Sequence, residues 1–141
     1  MIALGADHGG FAIKEAIRAY FEASGIEYID VGIYNEESVD YPVFAKLLCE
    51  KIIDGTARLG ILCCGTGIGM SIAANKIKGI RAAALSEAFS CEYTRRHNDA
   101  NVLCLGGRVI SEEMAVELAK IFINTPFEGG RHSKRVAMYE E

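Results

Sequence analysis

Cys64 opens a segment with three glycines at alternate positions, Cys64-Gly65-Thr66-Gly67-Ile68-Gly69. Glycines spaced in this way let backbone N–H groups converge on one point without obstruction by side chains. A helix starting just beyond adds the partial positive charge of its amino end. The segment is therefore a seat for an anion, and a thiol at its mouth is stabilised as the thiolate. A base beside preorganised N–H donors can take a proton from a carbon next to a carbonyl while the donors hold the resulting enediolate oxygen. The usual nucleotide patterns are absent: no Gly-Lys-Ser/Thr follows, and Met70 stands where G-x-G-x-x-G needs glycine. Viewed alone, the segment is equally a turn that packs a helix on a sheet.

Two further clusters suit a phosphorylated ligand. Gly129-Gly130-Arg131-His132-Ser133-Lys134-Arg135 gathers three cations and a histidine in a chain whose net charge is −4. Arginine is suited to bidentate phosphate binding, although a solvated basic tail reads the same way. In Arg95-Arg96-His97-Asn98-Asp99, a histidine near a helix carboxyl end can hold or relay a proton near neutral pH. The plainer alternative makes Asn98 a helix stop and His97 a surface residue.

The elements that must carry these residues alternate between apolar runs and helical spacing. Strands are expected at residues 1–5, 27–31, 59–64, 80–85 and 102–105. The run Leu59 to Cys64 is continuously apolar, as in a strand buried on both faces. Alternation along it turns Cys63 away from Cys64 and into packing. Ile13, Ile17, Tyr20 and Phe21 keep helical spacing up to Gly25, and Pro42 suits the first turn of the next helix. Further helices are expected over 70–77, from Ser86 and Glu87 to about Arg96, and from Ser111 to Thr125, with 127–141 left as a short basic tail. This order predicts an α/β fold, a three-layer α/β/α Rossmann-like sandwich with a five-stranded parallel sheet. Ligands of such folds bind outside the carboxyl ends of the strands, where Asp7, His8, Cys64 to Gly69, Ser86 and Arg108 fall.

At 141 residues, 50% hydrophobic and 24% charged, the chain reads as one domain, 1–141, rather than a disordered segment. Its negative charge argues against nucleic acid and anionic membranes as partners. No apolar run approaches the ~18–20 residues that cross a bilayer. An odd count of five cysteines with no export signal suggests free thiols in a reducing, cytoplasmic setting. No CxxC pair or His-rich spacing proposes a zinc site.

Taken in order, Asp7-His8-Gly9-Gly10-Phe11, Asp40-Tyr41-Pro42, Cys64 to Gly69, Ile72-Ala73-Ala74-Asn75-Lys76, Gly79-Ile80-Arg81, Arg96-His97-Asn98-Asp99 and Phe127-Glu128-Gly129-Gly130-Arg131-His132 with Arg135 resemble the type-B ribose-5-phosphate isomerases. The wider family includes galactose-6-phosphate isomerase subunits. The match covers essentially the whole chain. The resemblance implies an aldose–ketose isomerase of the pentose phosphate pathway. It would interconvert ribose 5-phosphate and ribulose 5-phosphate through a cis-enediolate, with neither metal nor organic cofactor. It implies a homodimer or tetramer with active sites between subunits.

By the same resemblance, Cys64 is the base and the amides of Gly65 to Gly69 (Gly65, Thr66, Gly67, Ile68 and Gly69) form the anion hole. Thr66 and His97 assist ring opening and proton traffic, while Asp7, Tyr41 and Asn98 bind sugar hydroxyls. His8, Arg131 and Arg135 hold the phosphate, with Arg108, His97 and Asn98 supplied by the partner subunit. Some members use a glutamate at the position of Met70 and lack the cysteine; Met70 with Cys64 puts this chain in the cysteine-using group. Two alternatives stay open: a 6-phosphate aldohexose (allose or galactose 6-phosphate) as substrate, and a non-catalytic flavodoxin-like phosphate-binding module. The residues alone assign Cys63 no role beyond packing.

Overall fold

The structure, a computed structural model, describes residues 1–141. Five parallel strands form one sheet: β1 (Ile2–Ala6), β2 (Tyr28–Asp30), β3 (Leu59–Cys64), β4 (Ala82–Ala84) and β5 (Val102–Gly106). They lie in the order β2-β1-β3-β5-β4. The helices are α1 (Phe11–Ser24), α2 (Tyr41–Ile53), α3 (Ile68–Asn75), α4 (Ala88–Asn98), α5 (Glu112–Asn124) and α6 (Arg131–Ala137), followed by a 3-10 turn over Met138–Glu140. No helix is long and apolar enough to cross a membrane.

Strand alternation divides the core into two layers. Ile61 and Cys63 face Ile13, Ile17 and Phe21 of α1, Cys91 of α4, and Leu118 and Phe122 of α5. Leu62 and Cys64 face Ala45, Leu48 and Cys49 of α2 and Met70 and Ala74 of α3. The sheet is thus covered on both faces, the expected three-layer sandwich. Gly25 ends α1 in the left-handed conformation, Pro42 sits in the first turn of α2, and Ser111 caps α5 by accepting from the Met114 amide.

Two local readings change. α3 begins at Ile68, two residues earlier than the apolar spacing suggested, because Gly67 caps it from a left-handed φ of 83°. The tail is not a plain basic strand of chain: residues 131–137 form α6, with His132 and Val136 one turn apart on its inner side. Gly129 and Gly130, at φ 70° and 57°, fold the chain into that helix.

Lys14 holds the loop that leads from β2 to the site. It is fully buried, and its Nζ donates to Asp30 Oδ2 at 2.6 Å and to the Ile33 carbonyl at 2.7 Å. Removing one member of a buried pair leaves the other charge uncompensated. Replacing Lys14 with Met, which keeps the packing volume, is expected to lower unfolding stability by about 3–5 kcal/mol in urea titrations. A loss below about 1 kcal/mol, the range of an exposed pair, would contradict this role.

Candidate active site

The strand order makes a crevice between β1 and β3. From β1 the chain crosses to β2 through α1 on one face; from β3 it crosses to β4 through α3 on the other. Ligands of open α/β sheets bind at such a reversal, outside the carboxyl ends of the strands. The two strand ends are locked together there by the Asp7 amide donating to the Cys63 carbonyl at 3.0 Å.

Cys64 ends β3 with its side chain turned to the α3 face, 5% exposed. Its Sγ accepts from the Gly67 amide at 3.1 Å. That amide reaches the sulfur because Gly67 adopts a positive φ; a Cβ there would lie 3.0 Å from the Cys104 carbonyl oxygen. The Ile68 amide is engaged locally, donating to Thr66 Oγ1 at 3.2 Å. The amides of Gly65 and Thr66 donate to no group of the chain, so both are available to an anion. The amino end of α3 adds its dipole at the same place.

An open cleft of about 390 Å³ gathers Cys64, Gly65, Thr66, Ile68 and Gly69 with Asp7, Tyr41 and Arg108. Asp7 is buried and its Oδ1 accepts from the Gly9 and Gly10 amides at 2.8 and 3.1 Å, which fixes the carboxylate. Tyr41 starts α2 and lays its ring on the first turn of α3, within 2.7 Å of where a Cβ on Gly69 would stand. His8 follows Asp7, and its Nδ1 accepts from the Val39 amide at 3.4 Å.

The remaining expected residues are elsewhere. α4 leaves the carboxyl end of β4 and runs back for eleven residues, ~16 Å, so His97 and Asn98 lie toward the amino edge of the sheet. The tail packs against that helix end: the Glu128 amide donates to the Arg96 carbonyl at 3.0 Å, and Asn98 Nδ2 donates to the Tyr139 hydroxyl at 3.3 Å. Arg131 and Arg135 belong to α6 and so accompany His97 and Asn98 rather than His8. Arg108 is the reverse case. Its amide donates to the Gly65 carbonyl at 3.0 Å, and its guanidinium lines the Cys64 cleft of its own chain.

Two residues without an individual role in the sequence, Glu128 and His132, emerge beside His97. The His97 and His132 rings stack, with centroids 4.1 Å apart, and both point nitrogens at Glu128. Burial, then the nearby His97 and Arg131, hold the His132 imidazole below the ordinary histidine range. The spacing of His132 and Val136, one helical turn apart, was the available signal. Arg95 turns out to be structural, bonding the carbonyls of Ala100 and Thr125 and the Asp99 carboxylate.

A cysteine and unengaged backbone amides at the switch point of a parallel sheet mark the place where α/β enzymes take small ligands. Residues 2–139 match the Ribose/Galactose Isomerase family model. Ribose-5-phosphate isomerase B of Escherichia coli (strain K12) is 45% identical over 96% of this chain and 91% of its own. The crystal structure of a ribose 5-phosphate isomerase from Thermotoga maritima superposes with a TM-score of 0.96 at 47% identity, covering 99% and 96% of the two chains. Ribose-5-phosphate isomerase B from Mycoplasma genitalium, solved with bound ribulose-5-phosphate, gives 0.91 at 36% identity over 97% and 91%. The chain belongs to the Ribose/Galactose Isomerase family and is an isomerase.

The five cysteines, all free, differ in access. Burial pushes Cys49 up to about 11 and Cys91 up to about 12, and raises Cys63 and Cys104 as well. Only Cys64 borders the cleft. Brief treatment of the native protein with iodoacetamide should therefore place a single adduct on Cys64 by peptide mass spectrometry. Modification of any other cysteine first would contradict this account of the cleft.

Proposed function

We propose that the chain interconverts ribose 5-phosphate and ribulose 5-phosphate through a cis-enediolate, with Cys64 as the base, as a step of the pentose phosphate pathway. The observation that carries the reading is the pairing of Cys64 Sγ with the Gly67 amide beside the unengaged amides of Gly65 and Thr66. The names of the Escherichia coli and Thermotoga maritima relatives, and the ribulose-5-phosphate bound to the Mycoplasma genitalium protein, support the substrate.

In the open-chain aldose, Cys64 removes the proton from C2. The electron pair moves into the C1–C2 bond, and negative charge develops on the carbonyl oxygen at C1, where the Gly65 and Thr66 amides stabilise it. Returning the proton to C1, with a proton passing from the C2 hydroxyl to the C1 oxygen, yields the ketose. Thr66 assists that traffic. Asp7 and Tyr41 bind sugar hydroxyls, while His8 and Arg108 face the phosphate.

The active form is a homodimer, alone or within a tetramer. His97 of the partner subunit opens the sugar ring, Asn98 of the partner subunit binds hydroxyls, and Arg131 and Arg135 of the partner subunit complete the phosphate site. The separation of these four residues from Cys64 within one chain supports this arrangement.

Cys64→Ala is expected to lower kcat for ribose 5-phosphate by roughly 10²–10⁴-fold, the usual worth of a positioned general base. Its denaturation midpoint and its affinity for ribulose 5-phosphate should stay near wild type. Retention of most turnover would remove Cys64 as the base. Faster wild-type turnover of allose 6-phosphate or galactose 6-phosphate would reassign the substrate, and no turnover of any of the three would favour a binding module.

A further inference from the structure

Three donor groups converge where α4 meets α6. His97 Nε2 lies 3.7 Å from Glu128 Oε2, and His132 Nε2 lies 3.6 Å from Glu128 Oε1. Ligand atoms of all three residues fall within 4.8 Å of one another. Bonds of ~2.0–2.1 Å to a tetrahedral zinc ion separate neighbouring ligands by about 3.3–3.4 Å, so the carboxylate already spans nearly the required gap to each ring. A second observation is independent of that spacing: His132 Nε2 is buried without a hydrogen-bond partner, in a residue only 8% exposed. Buried polar atoms in folded proteins almost always have a partner.

The geometry points to a binding site for a borderline divalent cation, Zn²⁺ above all, formed by His97, Glu128 and His132. The backbone presents it from two anchored elements, the end of α4 and the Glu128–Gly129–Gly130 turn tied to it by the Arg96 carbonyl. His132 and the exposed Glu128 carboxylate converge first. The His97 ring, one-third exposed, turns out of its stack on His132 to aim its lone pair at the ion. Two imidazoles with one carboxylate favour Zn²⁺, Co²⁺ or Ni²⁺ over Mg²⁺ and Ca²⁺. Arg131 and Arg135, on the same helix as His132, repel any dication, so binding must come from the ligand bonds rather than from the local field.

The ion is an inhibitor rather than a cofactor, because it withdraws His97 from ring opening. That consequence rests on the proposed function; the binding itself does not. Metal-free full-length protein is to be titrated with Zn²⁺ by calorimetry and with Co²⁺ by visible absorption, beside Glu128→Gln, His132→Gln and Cys64→Ala. Wild type and Cys64→Ala should each bind one ion per chain. Glu128→Gln and His132→Gln should bind about tenfold or more weakly, since even outer-shell losses at metal sites cost 10–100-fold. In wild type, Zn²⁺ should slow turnover and EDTA should restore it, whereas Glu128→Gln resists. Because Cys64→Ala is read for binding and not turnover, failure of the isomerase mechanism and failure of the ion site give different results. Absence of binding by wild type, unchanged binding by Glu128→Gln, or binding lost in Cys64→Ala would each overturn the site.

Discussion

A helix that follows a strand of a parallel sheet must run back before the next strand can begin, so its two ends stand at opposite edges of the sheet. The chemistry of this chain depends on that constraint. Cys64 is the last residue of β3 and sits at the carboxyl edge. His97 and Asn98 are the last residues of α4, an entire helix away toward the amino edge. α6 then docks on that far end and takes Arg131 and Arg135 with it. On the proposed function, one chain therefore carries two half-sites: the cysteine base with its backbone amides, and a histidine with a cluster of cations. Each half has its own support. The cysteine half is held by Gly67 and by the lock between β1 and β3, the cationic half by Arg95 and the Glu128 turn.

The cysteine half shows how few positions decide the chemistry. Gly67 alone combines a left-handed backbone, the helix start and an amide aimed at Cys64 Sγ. Cys63, one residue earlier, is buried against the other layer with its ionisation suppressed by desolvation. The same atom type one residue along a strand thus becomes inert filling or a cleft thiol, because alternation sends neighbouring side chains to opposite faces. Lys14 illustrates the matching constraint on the loop side. Its buried ammonium holds the turn after β2, and that loop returns the Val39 amide to His8.

Much of this was legible in the sequence for a physical reason: apolar period and glycine placement are local signals. The run Leu59 to Cys64, the Gly25 stop and the Pro42 start each carry their meaning within a few residues, and all three hold in the structure. The start of α3 was read late because Gly67, rather than an apolar residue, sets it. α6 was missed because its seven residues expose charge on most sides and only His132 and Val136 turn inward. The partition of site residues was not local at all. Nothing local in the sequence says that Arg108 lines the Cys64 cleft of its own chain while Arg131 and Arg135 sit beside His97; the sheet order and the docking of the tail on α4 decide that. Glu128 and His132 gained a role only once the tail was seen against α4.

The central claim is that a working site takes Cys64 from one chain and His97 from another. Subunit complementation tests it most directly: Cys64→Ala and His97→Ala proteins are mixed in equal amounts, dissociated and reassembled, and ribose 5-phosphate turnover is measured. Random pairing in a twofold dimer leaves one site in four complete, so activity should rise to about a quarter of wild type. Activity that stays at the sum of the two separate variants, with subunit exchange demonstrated by differential labelling, would contradict the shared site.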